Sequence, residues 1–193
     1  MAVISIIGTS GVGKSFLVNQ LASLECLPAL FEGEEGVIPK EILKDVFTAN
    51  DPCKRWRWFI ERDKKRLSRA RKISDAGIDC YVDGAVMTSE AILIDEDRAH
   101  HPELLKMIES ITHLQSDKLV LLTASEKKIR ELISVRGRSS EEIKRAVARA
   151  LRIQDEFIRL AKKEKNVIVI DRSNLDFAKE EDLTYVLKRI KQS

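Results

Sequence analysis

Short apolar runs alternate with longer amphipathic ones along the whole chain. Ala2 to Ile7, Pro28 to Phe31, Ile78 to Asp83, Lys118 to Thr123 and Val167 to Asp171 are brief and mostly β-branched or aliphatic, and read as five buried strands. Between them apolar residues recur at helical spacing. Phe16 to Leu24 follows the first strand. Pro39 opens a helix running to about Phe47, after which Asn50-Asp51-Pro52 breaks the chain. Trp56, Phe59, Ile60, Leu67, Ala70 and Ile73 line one side of a long helix from about Pro52 to Ser74, which Asp75-Ala76-Gly77 ends. Further helices are expected from His101-Pro102 to about Leu114, from Glu126 to Val135, after the Ser139…Glu142 capping-box spacing, and from about Lys179 to Ile190. The order is β-α-β-α-α-β-α-β-α-α-β-α. Continuous apolar strands alternating with helices predict an α/β fold, a five-stranded parallel sheet with helices on both faces and ligands beyond the carboxyl ends of its strands.

The chemistry concentrates at those ends. Gly8-Thr9-Ser10-Gly11-Val12-Gly13-Lys14-Ser15 matches G-x-x-x-x-G-K-S between the first strand and the first helix, the context in which that pattern forms a P-loop phosphate site. Its glycines let backbone N–H groups converge on an anion, and the helix N-terminus adds positive potential. Lys14 is expected to reach the β- and γ-phosphates of ATP, and the Ser15 hydroxyl to hold Mg²⁺ together with Asp83 at the third strand's end. Glu32, at the end of the second strand, is the candidate general base, with Glu34 and Glu35 as competitors. Arg130 and Arg136-Gly137-Arg138 follow the fourth strand and suit an arginine-rich lid, about 130–142, that opposes charge on a transferring phosphoryl group. Arg55 and Arg62, two turns apart on the long basic helix, are candidates for the wall of an acceptor site.

Composition narrows the setting. The chain has 193 residues, enough for one domain with a sizeable core, and a third of them (34%) are charged. A net charge of +3 is too small for a general nucleic-acid binder. Cys26, Cys53 and Cys80 are odd in number and widely spaced, which argues against a disulfide framework or a zinc site and for a reducing, cytoplasmic setting. No apolar run is long enough to span a membrane, and the apolar N-terminus reads as a strand rather than a signal peptide. Helix 52–74 is a candidate surface for pairing in a homodimer.

With these residues in view, the chain resembles the deoxynucleoside kinase family over nearly its whole length, especially the bacterial deoxyadenosine and deoxyguanosine kinases. Besides the P-loop, Phe31-Glu32 resembles the family's strand-end Glu, the base on the 5′-hydroxyl. Trp58-Phe59-Ile60-Glu61-Arg62 is similar to a helix whose Arg binds the nucleobase. Arg136 to Glu141 resembles the lid, whose arginines grip phosphates and whose Glu binds the sugar 3′-hydroxyl. Val167 to Asp171, Leu175-Asp176-Phe177 and Glu181-Asp182-Leu183 resemble the closing strand and helix. The chain departs from the family at two places. Asp83-Gly84-Ala85 stands where the family has Asp/Glu-Arg-Ser, and Arg55 stands where it has a base-pairing Gln.

The resemblance implies transfer of the ATP γ-phosphoryl to the 5′-hydroxyl of a deoxynucleoside or close analogue. Two other readings remain. The extra basic residues suit a nucleoside monophosphate acceptor, and the arginine missing after Asp83 suits an ATP-binding regulatory module that has lost catalysis. No Asn-Lys-x-Asp guanine motif of a signalling GTPase is present.

Overall fold

The computed structural model describes residues 1–35, 39, 42, 52–95, 101–135 and 139–192. Five strands form one sheet: β1 (Val3–Gly8), β2 (Ala29–Leu30), β3 (Cys80–Asp83), β4 (Lys118–Thr123) and β5 (Val167–Asp171). They lie in the order β2-β3-β1-β4-β5, and every pairing is parallel. Among the described residues seven α-helices pack around it: α1 (Lys14–Glu25), α2 (Pro52–Asp75), α3 (Val86–Asp95), α4 (Pro102–Ile111), α5 (Glu126–Ser134), α6 (Ser140–Ala161) and α7 (Glu180–Lys191). Single 3₁₀ turns occupy Glu32–Glu35 and Thr112–Leu114.

The pleat explains why the strands read as unbroken apolar runs. Ile4 and Ile6 pack with Leu17 and Leu21 of α1 and Val186 and Ile190 of α7. Val3, on the opposite face, packs with Trp56, Ile60 and Leu67 of α2 and Leu104 of α4, and Ile7 packs with Ala91 of α3 and Phe157 of α6. Both faces are covered at β1, so neither can be polar there, whereas on the edge strand β5 Val169 is exposed. The one polar side chain of β1, Ser5, is buried and hydrogen-bonded to Ser116 at 2.6 Å.

Most boundaries fall where periodicity and caps place them. The Ser139–Glu142 capping box is formed in both directions. Helix α2 ends with Ile78 N–H donating to Ile73 O and Gly77 N–H to Ser74 O, a Schellman arrangement. β2 and β3 are shorter than expected, and the helix expected to reach Leu114 turns 3₁₀ after Ile111. The helix expected over 39–47 lies outside the described residues except at 39 and 42. One helix escaped the sequence pattern. Among the described residues two helices, not one, lie between β3 and β4, and every residue of α3 is buried or half-buried. An element wedged between α2, α4, α6 and the sheet has no solvent face, and so no 3.6-residue alternation to read.

The register aligns the carboxyl ends of the strands. Ile6 faces Asp83, Gly8 faces Leu122 and Thr123 faces Asp171. β1 has β3 on one side and β4 on the other, so the chain reverses its direction of travel across the sheet at β1, where parallel sheets open a crevice. Among the described residues no helix is long and apolar enough to cross a membrane.

Candidate active site

The loop after β1 is built from main chain. Gly13 is the N-cap of α1, at φ 94° and ψ 23°, and offers the helix no side-chain cap. The first-turn amides of α1 are thus presented to whatever lies in front of them, as an anion site requires. Lys14 Nζ curls over the loop to donate to Thr9 O at 3.2 Å. Below the loop lies Arg172, just past β5 and only 6% exposed. Its Nη1 donates to Val12 O at 2.5 Å, and its guanidinium stacks on the Phe177 ring at 4.2 Å. A Cβ on Gly13 would collide with that same Nη1, so a side chain there is excluded twice, by φ and by Arg172. Burial lowers the Arg172 pKa, against the pull of Asp176 and Glu131.

Ser15, the second residue of α1, donates its hydroxyl to Asp83 Oδ2 at 2.5 Å. Asp83 is 3% exposed, and its Oδ1 is buried with no hydrogen-bond partner in the structure. A buried carboxylate oxygen left over beside a hydroxyl fits a small hard cation that takes oxygen ligands, and so fits Mg²⁺.

A cavity of about 200 Å³ opens beside these groups. Thr9, Ser10 and Lys14 form its loop side, and Glu32 borders it from the 3₁₀ turn after β2. Arg55, Phe59 and Arg66 of α2 form the opposite wall. Gly84 and Ser89 from the β3–α3 corner and Arg149 of α6 complete it. Within this wall Asp63 is hydrogen-bonded to Arg66 and accepts the Ser89 hydroxyl at 2.6 Å. Burial pushes the Asp63 carboxyl up, while Arg66 and Ser89 draw it down.

The sequence matches no protein-family model and no curated protein. Solved structures match the fold along its whole length. The deoxyadenosine kinase of M. mycoides with bound dATP superposes with a TM-score of 0.72 over 99% of this chain and 100% of its own, at 19% identity. The thymidylate kinase of Candida albicans gives 0.68 over 99% and 91% at 15% identity, and that of Ehrlichia chaffeensis 0.65 over 98% and 97% at 14%. This is the fold of the P-loop nucleoside and nucleotide kinases.

Within that kinase fold the expected site residues fall into three groups. Residues 8–15, Glu32, Asp83 and Arg55 come together at the strand tips. Glu32 is exposed, and its backbone carbonyl accepts from Arg62 Nη2. Arg55 stacks over Trp56 and Phe59, with its guanidinium carbon 5.3 and 5.6 Å from the ring centroids. Arg62 does not line the cavity. It is buried over the Trp58 ring at 4.4 Å and holds the Glu32 turn from the side. Arg136, Gly137 and Arg138 lie outside the described residues, and Glu141 contributes its backbone to the first turn of α6. Arg130, at the start of the expected lid, donates to Glu126 at 2.7 Å on the exposed side of α5.

The sequence reading missed Asp63, Arg66, Arg149 and Arg172. Asp63 and Arg66 are an opposite-charge pair at i,i+3, but the basic run around them reads as a solvated face. Arg172 carried a usable signal, since it directly follows a strand whose tip belongs to the ligand edge. Away from the cavity Cys53, His101 and Glu103 bring three donor atoms within 4.8 Å, but Glu103 already accepts from Arg57 at 2.6 Å.

Proposed function

We propose that this chain is a single-domain, ATP-dependent phosphotransferase whose acceptor is the 5′-hydroxyl of a deoxynucleoside or close analogue. The observation that carries this reading is one cavity bounded by the phosphate loop, by Glu32 and by the arginine- and aromatic-bearing wall of α2. In the proposed reaction the 5′-oxygen bonds to the γ-phosphorus as the bond from that phosphorus to the β,γ-bridging oxygen breaks. The hydroxyl proton passes to the Glu32 carboxylate, and ADP leaves with the bridging oxygen. Lys14 and the α1 amides hold the β- and γ-oxygens, and Arg136 and Arg138 bring further charge from the lid. Magnesium, held by Ser15 and Asp83, would neutralise phosphate charge. Arg55 only donates hydrogen bonds, so it favours a base that presents carbonyl oxygens. Glu141 is assigned to the sugar 3′-hydroxyl, while Arg62, expected at the base, lies off the cavity and holds the Glu32 turn instead.

A panel of nucleosides with radiolabelled ATP tests the reading. Transfer to at least one nucleoside is expected, and binding of ATP with no transfer to any of them overturns it. A second reading, a nucleoside monophosphate acceptor, is supported by the four cationic side chains Lys14, Arg55, Arg66 and Arg149 around one cavity. The same assay with monophosphates separates the two, since only a monophosphate acceptor yields a labelled diphosphate, whereas mere binding of a monophosphate is also expected of the product of a nucleoside reaction.

A further inference from the structure

We propose that Arg66 is a second acceptor-binding residue, and that its guanidinium fills the space left by the missing side chain at Gly84, beside the metal-binding carboxylate. The inference rests on the phosphotransferase reading and names a contact of that same site.

Arg66 is only 2% exposed, yet it lines the cavity. Arginine is almost never buried so far without a specific demand, because desolvating the charge costs more than an ordinary ion pair returns. A chain needing only packing at this point of α2 would do as well with Leu or Met. Arg66 is instead held in one place. Asp63, one turn earlier, accepts from Arg66 Nη2, and the other Asp63 oxygen accepts from Ser89 at 2.6 Å. The carboxylate is thus braced from α3 while it orients a cation on α2.

The orientation has a direction. Gly84 follows Asp83 at φ 94°, and a Cβ there would lie 3.1 Å from Arg66 Nη2. The guanidinium therefore sits against the residue next to the Ser15–Asp83 pair, in the wall of the cavity that the phosphate loop and Glu32 also line. A planar group with N–H donors and no acceptor binds oxygen lone pairs. At this place those belong to the reacting end of the acceptor, its 5′-oxygen or a phosphate on it. Glycine at 84 is what admits a guanidinium from α2, and Asp63 and Ser89 fix its angle. This arrangement was invisible in the basic run of α2 because Gly84 and Ser89 lie 18 to 26 positions beyond Arg66 and Asp63 in the chain.

The test is steady-state kinetics on the full chain, with the nucleoside or monophosphate the parent uses. The double variant Asp63→Asn/Arg66→Met removes both charges and leaves no lone buried ion. Its acceptor KM is expected to rise at least tenfold while the ATP KM stays within twofold. Gly84→Ala should also raise the acceptor KM in the parent but add little in the double variant, since both changes displace the same guanidinium. Should the double variant not fold, Arg66→Lys, which keeps a cation against Asp63, decides by the same ratio of KM values. An acceptor KM within twofold of the parent overturns the inference and leaves the function standing. So does a parallel rise of both KM values, the mark of a merely structural pair. A parent that transfers to no acceptor overturns the function and this contact with it.

Discussion

The two sides of the cavity are made differently. The donor side is main chain: eight consecutive residues, a glycine held at positive φ, the unshared amides of α1 and one buried arginine propping the loop from below. The acceptor side is side chain: Glu32 from a 3₁₀ turn, Arg55 and Arg66 from α2, Ser89 from α3 and Arg149 from α6. A main-chain site is specified locally and tolerates little, because each glycine excludes a Cβ. A side-chain site is specified by tertiary packing and is retuned one residue at a time. On the proposed phosphotransferase reading, the donor side fixes what kind of reaction is run, and the acceptor side decides on what.

The largest expected effect breaks the donor side. Lys14→Met should lower kcat/KM by about a thousandfold, as loss of a group that stabilises transferring charge does. Unchanged turnover in a steady-state assay would remove the donor assignment altogether. Next comes the border between the sides. Glu32→Gln should lower kcat by about a hundredfold, the usual worth of a general base, with the acceptor KM nearly unchanged. A drop in acceptor affinity alone would make Glu32 a binding residue. Arg172→Met acts on the support of the loop. It removes a charged donor from Val12 O and should cost about 2 kcal/mol of stability by chemical denaturation while raising the ATP KM more than the acceptor KM. Equal shifts in both would show that Arg172 supports the fold at large rather than the loop. The smallest effect sharpens the claim that the main chain sets this side. Cys26, the exposed C-cap of α1, sits at φ 54°. Cys26→Gly should relieve that strain and add up to about 1 kcal/mol of stability with no change in turnover, checked by thermal melting and a kinetic assay.

The same difference decides what could be read from the sequence. The strands, the loop and its helix were legible because they are local. Apolar runs mark buried strands, and glycine, lysine and serine at fixed spacing mark the loop. The α3 helix was not, because it is buried all round and lacks a polar face. Asp63 and Arg66 were hidden for the opposite reason. They sit in a helix so rich in lysine and arginine that one more charge looked solvated, and only the neighbouring Gly84 gives that charge a cavity to face. Arg62 shows the limit of spacing arguments. Two turns from Arg55, it was expected on the same wall, yet it turns aside to stack on Trp58 and to grip a carbonyl.

That grip has its own consequence. Arg62 tethers residue 32 through the peptide oxygen, a handle every amino acid carries, and leaves the identity of the side chain out of the bargain. An exchange at position 32 can therefore silence, shorten or redirect the group proposed to meet the acceptor without unhooking the turn from the long helix. Chemistry and anchorage are separately heritable at this corner of the molecule.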